Sequence, residues 1–462
     1  MFISQKLLLF LIFLFFSTYS FSQEKSESIR VIGDSLVGRV VDGESIREVI
    51  GKVLLTQGNV VVTCDKAIQY LLKNEAELIG NVVVNQDSLT LTTPTGFYFG
   101  DVKMTKSVSG IILDDKKVIL SADSGEYFFD SNIAVFQSNV SLIDSVTTLN
   151  SDELIYFKNE DKAIAVDNVI IKSENSIINA DSLEHFRKSQ TSFAFGNVKI
   201  SSLENNTIVY GDHLEDYGEQ KFTIIDKNPL LVQIDTSYQT GEDTLTKTRI
   251  DTLVIKCLKM EAIRGASNLF RAIDSVKIVR GEFASLNDLT LYFRSDDKII
   301  TEKSGETTQP PVLWYENSQL TGDSITIYLE ENNIKNLDVI NNSFMLSQHK
   351  VFQQRYDQTS SNNVKINFNN DKIQNAVFDG NVRSIYYLYE DEKPNGLTKS
   401  ASNSATLVFE ENEVSEVRLY GSPSSEYHPE NKVIGIERTF TLPKFVFNQN
   451  RPLKEELIST IK

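Results

Sequence analysis

Carboxylates, imidazoles and thiols are the groups in this chain that could do chemistry, and they are regularly placed. Asp65, Asp123, Asp152 and Asp181 recur at a fixed interval, with Pro94 standing in the same series. A stack of carboxylates could hold a calcium ion, or supply the acid and base that cleave a polysaccharide. The four histidines are His185, His213, His349 and His428. His185 lies four residues after Asp181 and His213 one after Asp212, so a metal site on adjacent turns is one reading and a solvated corner is the other. Aspartate is also a turn-former, and one Asp per repeat at a corner accounts for the series without a ligand or a substrate. There is no HExxH, no Gly-x-Ser-x-Gly and no Gly-rich phosphate loop. The expectation is therefore a protein that is not an enzyme, with no catalytic residue, metal or cofactor. A carboxylate-dependent β-solenoid enzyme and a structural or adhesive solenoid stand as alternatives.

The regular spacing has its origin in an internal repeat. From Gly80-Asn81-Val82, steps of 29 residues reach Gly51-Lys52-Val53 upstream, then Ser109-Gly110-Ile111, Ser138-Asn139-Val140, Asp167-Asn168-Val169 and Gly196-Asn197-Val198 downstream. The Asp series shares the period, and five residues after each member sits Tyr70, Phe99, Phe128, Phe157 or Phe186. Looser copies follow at Asp212, Cys257-Leu258, Asn287, Asp323, Asn363 and Ser404, and Gly380-Asn381-Val382 restores the turn motif late in the chain.

These columns predict an all-β body, a solenoid of stacked strands. Gly-Asn and Asp each mark a corner, so each unit is expected to have two corners and at least two strands. After the Gly-Asn corner, alternate residues are apolar: Val53 and Leu55, Val82 and Val84, Ile111 and Leu113, Val140 and Leu142, Val169 and Ile171, Val198 and Ile200. Before the Asp corner a second column holds Val62, Leu91, Leu120, Leu149 and Ile178. Stacking would align these residues into continuous interior stripes, which a closed core and an open groove would display alike. Beside the Asp corner the column turns small: Cys64, Thr93, Ala122, Ser151 and Ala180. Cys64 and Cys257 both fall there, six units apart. At about 4.8 Å per unit their sulfurs lie near 30 Å apart, beyond disulfide reach, so two free, buried thiols are expected.

The remaining features bound the class. Lys6, the run Leu7–Phe16 and Ser20-Phe21-Ser22 read as a signal peptide over 1–22, with an uncleaved anchor as the alternative. The mature chain is therefore expected in the periplasm, either free or associated with the outer membrane. The net charge is −17, which disfavours a nucleic-acid partner. The expected organisation is stacked β repeats over 23–234, a polar inserted loop at 235–251, degenerate repeats over 252–440 and a charged tail at 441–462. Asp296–Pro311 reads as a second polar insertion. An outer-membrane barrel needs tight turns at one end and fits the 29-residue period poorly.

The Gly-Asn-Val turn, the strand after it and Ala180-Asp181-Ser182-Leu183-Glu184 with its aromatic resemble the OstA-like family. This is the fold of periplasmic lipopolysaccharide-transport proteins of the LptA kind and of the N-terminal domain of the outer-membrane protein LptD. The resemblance is strongest over residues 30–232. It implies a V-shaped β-jellyroll of antiparallel strands whose apolar interior shields the acyl chains of lipopolysaccharide or another acylated lipid. It also implies partners at both ends, either other jellyroll transport components or copies of the same chain, joined by edge-strand pairing. Two departures stand out: the chain is much longer than a simple LptA, and it lacks a C-terminal barrel of the LptD type.

Overall fold

The computed structural model describes residues 28–459 apart from 205, 241–245, 267, 304, 306–308, 331–332, 370–371 and 411–412. The signal peptide expected at 1–22 lies outside the described residues. The chain divides into two compact units, Met1–Ser138 and Asn139–Lys462, with the boundary inside the strand Ile133–Ile143.

In the first unit the sequence folds as an antiparallel meander. Glu44–Gln57, Val60–Tyr70, Glu75–Gln86 and Leu89–Phe99 pair in chain order. Their β-branched and aromatic residues suit a pleated surface, and the hairpins between them turn at positive-φ residues, Gly58, Asn74 and Asp87. Each strand is also bent in the middle. Between Val60–Tyr70 and Glu75–Gln86 the register jumps from Thr63 to Lys66 on one strand and from Ile79 to Val82 on the other, so Cys64-Asp65 faces Gly80-Asn81. Gly80 and Asn81 have φ of 76° and 46°, and Asn81 Nδ2 donates to Asp65 Oδ2 over 2.8 Å.

The two corners expected in each unit are thus one. The Asp series and the Gly-Asn series lie on neighbouring strands and meet at the same bend. Hairpins, which the repeat columns do not mark, make the other turns. One 29-residue unit contributes two antiparallel strands, so it advances by about twice the 4.8 Å strand spacing rather than once. The jellyroll of antiparallel strands stands; the one-spacing rise does not.

The second unit repeats the device. Asn168, Asn197, Asn228 and Asn342 donate to Asp152, Asp181, Asp212 and Asp323 over 2.6, 2.9, 2.8 and 2.8 Å. The expected loop at 235–251 is instead largely strand. Leu230–Thr240 and Thr246–Lys256 pair along their whole length, from Leu230↔Lys256 to Thr240↔Thr246. The segment reads as a loop because its residues are polar, but Thr, Tyr and Ile extend a ladder that the preceding apolar residues have begun. Likewise the insertion at Asp296–Pro311 contains the strand Lys298–Glu302. The degenerate repeats expected over 252–440 continue as strands to His428.

The tail at 441–462 is not a free charged end. Gln319 Nε2 donates to the Val446 carbonyl (2.8 Å) and Asn448 N–H donates back to Gln319 Oε1 (2.9 Å). Gln358 treats Phe440 and Leu442 in the same way, over 3.0 and 2.9 Å. The short helix Lys454–Ile458 then buries Leu457 against Leu230, Val254, Val279 and Trp314.

Each unit carries one open edge. In the first, Ser35–Val41 pairs among the described residues with Glu44–Gln57 alone, and Val40 is 72% exposed. In the second, Glu413–Tyr420 and Ser424–His428 pair among the described residues only with Lys393–Glu410.

Candidate functional site

The inward face of each unit is built from cross-strand rows. In the first unit Leu55, Val62, Val84, Leu91, Leu113 and Leu120 are successive partners, all fully buried. Val53, Val82 and Ile111 face Cys64, Thr93 and Ala122 beside the bend and are buried too. A second row, Val49, Ala67, Leu78 and Gly96, lines the other arm of the V.

The open ends of these two arms are tied together. Gln57, at the tip of one arm, donates to the Gly100 carbonyl at the tip of the other (2.9 Å) and accepts from the Tyr98 hydroxyl (2.7 Å). Gln86 reaches the Phe129 carbonyl (3.3 Å), and the Phe129 ring packs on Tyr98 and Tyr127. Burial pushes the hydroxyls of Tyr98 and Tyr127 well above the usual phenol range. This interior is a closed core with a polar, hydrogen-bonded mouth.

The second unit differs. One inward row runs Leu154, Ala165, Leu183, Ala194, Leu214 and Ile225, then onward through Met260, Ala272, Ile325, Val339 and Phe378 to Ala405, buried throughout. The facing row is Leu149, Ile171, Ile178, Ile200 and Val209. Val140, Leu142, Leu149, Val169 and Val198 are buried, whereas Ile171, Ile178, Ile200 and Val209 are only half-buried. Three consecutive expected lining residues are therefore only partly covered by the packing around them.

The chemistry-bearing residues fall into structural roles. His185 lies on the inward face, where its Nδ1 is 2.9 Å from the Ser192 hydroxyl and burial holds its pKa below the usual imidazole value. His213 lies on the opposite face, bonded to Asp226 (2.7 Å) and stacked on Phe195. The structure does not bring the two histidines together, and no group of three His, Cys, Asp or Glu among the described residues could hold a metal. Cys64 and Cys257 are free and buried, as expected.

The small column has a function that the sequence did not reveal. Each hydroxyl or thiol donates to the carbonyl two residues on, across the bend. Cys64 reaches Lys66 (3.1 Å), Thr93 reaches Thr95 (2.8 Å), Ser151 reaches Glu153 (2.9 Å) and Cys257 reaches Lys259 (3.1 Å). The recurrence of Ser, Thr and Cys at one offset was the available signal.

No helix among the described residues is long and apolar enough to cross a membrane. Comparison with curated proteins finds no match. Among solved structures the chain is similar to LptH, the LptA-homologous periplasmic component of the lipopolysaccharide transport device of Pseudomonas aeruginosa. The identity is 17%, covering 33% of this chain and 85% of that one, with a TM-score of 0.16. The family model for OstA-like protein matches residues 33–181 and 154–253. Those matches take in the corner pairs Asp65 and Asn81, Asp152 and Asn168, Asp181 and Asn197, and Asp212 and Asn228, and over residues 33–253 the chain is similar to the OstA-like family.

Proposed function

We propose that this is an exported protein of the periplasm that shields the acyl chains of lipopolysaccharide, or of another acylated lipid, on its way to the outer membrane. The observation that carries the reading is the row Ile171, Ile178 and Ile200. These apolar side chains face inward yet remain half-buried, in a stretch where the facing row is fully packed. An acyl chain laid along them would remove apolar surface from water at about 25 cal/mol per Å². The OstA-like pattern over the same residues supports the same reading. The open edges of Ser35–Val41, Glu413–Tyr420 and Ser424–His428 suit pairing with another jellyroll component or a second copy of this chain.

Photo-crosslinking tests the proposal. Crosslinkers at Ile171, Ile178 and Ile200 should capture lipopolysaccharide in cells. Crosslinkers at Leu55 and Leu91, behind the Gln57–Gly100 tie, should capture far less until Gln57→Ala and Tyr98→Phe loosen that mouth. Equal labelling at outward Ile170 and inward Ile171 would overturn the lipid reading.

A further inference from the structure

We propose that a polar cleft at the C-terminal corners of the second unit binds a phosphate-bearing saccharide. The cleft has a volume of about 550 Å³, within the range that holds a small ligand. It lies between successive strand bends, at Asn342–Phe344, Ser360–Asn362, Asn381–Arg383 and Ala401–Asn403, and the tail residues Pro443 and Lys444.

Its charge sets it apart. The chain carries −17 overall, yet the lining contains Arg383 and Lys444 and no carboxylate. Lys444 Nζ is held by Asn342 Oδ1 at 2.6 Å. Arg383 is exposed and has no carboxylate partner among the described residues. A guanidinium in this situation is free to take a phosphate through two parallel N–H donors.

The corner column supplies an independent observation. At Asp65, Asp152, Asp181, Asp212 and Asp323 the bend is held by a carboxylate. At the two bends that line the cleft the same position is Asn362 and Asn403. They make the same backbone contact, donating N–H to the carbonyls of Gly380 (2.8 Å) and Gly421 (3.2 Å). The bend tolerates either residue, so its geometry does not require the change. The exchange removes two negative charges from the wall of a cleft that holds two positive ones. The preceding carboxylate, Asp323, outside the lining, is engaged by Asn342 and Lys303 and also feels the charge of Lys444, which leaves Arg383 as the cation without a carboxylate beside it.

The rest of the lining suits sugar hydroxyls. Ser360, Arg383, Ala401 and Ser424 are successive cross-strand partners on one face. They form a floor of hydroxyls and a cation, with the amides of Asn381 and Asn403 beside it, able to donate and accept. The cleft is separate from the apolar interior, and only the lipid-headgroup outcome below rests on the proposed cargo.

Calorimetric titration of the full mature chain at low ionic strength tests it, with glucose 6-phosphate, glucose and inorganic phosphate as probes. Glucose 6-phosphate should bind at least tenfold more tightly than either other probe. Arg383→Ala and the double variant Asn362→Asp/Asn403→Asp should each weaken it at least tenfold. The double variant restores the residue found at the other bends, so its melting temperature should stay at the wild-type value. Phosphatidylcholine vesicles with and without lipid A then distinguish the sources. Loss of lipid A vesicle binding in the double variant assigns the site to a lipid headgroup, and loss of glucose 6-phosphate binding alone assigns it to a soluble sugar phosphate; either supports the site. No binding of glucose 6-phosphate, equal binding of phosphate, or binding indifferent to Asn362→Asp/Asn403→Asp would overturn it.

Discussion

The side-chain amide of Asn197 donates to both carboxylate oxygens of Asp181, over 2.9 and 3.2 Å, across neighbouring antiparallel strands. The two residues are 16 apart in sequence, as are Asn81 and Asp65, Asn168 and Asp152, and Asn228 and Asp212. This pair locks a bend at which Gly196 and Asn197 both take positive φ, 73° and 46°. The bend turns each long strand into the two arms of the V, and so creates the interior.

Breaking the pair should therefore cost stability in a graded way. Asp181→Ala should cost about 1 kcal/mol, the worth of a net hydrogen bond. Asp181→Asn should cost less, because the chain itself uses Asn362 and Asn403 at this place. Gly196→Ala should cost more, about 1–3 kcal/mol. Its φ is disfavoured for alanine, and a Cβ there would clash with the Asp181 carboxylate, which would have to shift. Urea unfolding of the three variants checks the order, and equal midpoints for Gly196→Ala and wild type would refute it.

The thiols offer a second test. Burial pushes the Cys257 thiol up to about 12, and raises Cys64 as well. Neither should react with an alkylating agent at pH 8 while the protein is folded, and both should be alkylated after denaturation without reductant. Because each sulfur donates across a bend, Cys257→Ser should keep the contact and Cys257→Ala should lose it. The expected difference is about 0.5–1.5 kcal/mol. Mass spectrometry of the alkylated protein and thermal melts of the two variants are the readouts.

Asp357 gives the stability a pH dependence. Burial pushes its carboxyl up to about 7, against the lowering effect of the Tyr387 N–H that it accepts at 2.9 Å. In the unfolded chain the same group titrates near 3.9. Between these values the folded state holds the extra proton, so stability falls as pH rises from about 4 to about 7. That contribution is fully present below about 4 and gone above about 7. Asp357→Asn should flatten this part of the profile. Melting temperatures at pH 4, 5.5 and 7.5 decide it, and parallel profiles for variant and wild type would remove Asp357 as the cause.

Particular residues show how far the sequence reaches. The columns from Val53 to Val198 were legible because burial on one face of a strand imposes period 2, and the bend imposes the 29-residue repeat. The merging of the Asp and Gly-Asn series was not legible, since sequence spacing does not say whether 16 residues separate stacked turns or antiparallel neighbours. The bends at Asp274-Ser275 and Asn341-Asn342 lack glycine, as do Ser138-Asn139 and Asp167-Asn168, all at positive φ; the latter two were legible through the unbroken 29-residue spacing, which loosens after Gly196-Asn197. Closure at Leu55 and Leu91 depends on Gln57, Gln86 and Tyr98, whose partners lie some 40 residues away. Gln319 and Gln358 look like ordinary polar strand residues until the tail is laid across them.

That tail has a built-in reporter. Trp314 is the one tryptophan of the chain. It is 4% exposed and sits in the cluster that Leu457 completes. Leu457→Asp places a charge in an apolar contact without a partner, which the helix Lys454–Ile458 can avoid only by lifting off. Trp314 should then meet water and its fluorescence maximum should move to longer wavelength. The strands should persist, because the ladder Leu313↔Leu320 and Leu320↔Met345 faces the other side of the sheet and does not involve the tail. Gln319→Ala, which removes both bonds to the 446–448 backbone, should shift the fluorescence in the same direction by a smaller amount. Far-ultraviolet circular dichroism recorded alongside separates undocking from unfolding. An unchanged Trp314 spectrum in Leu457→Asp would mean that the tail does not cover this face in solution.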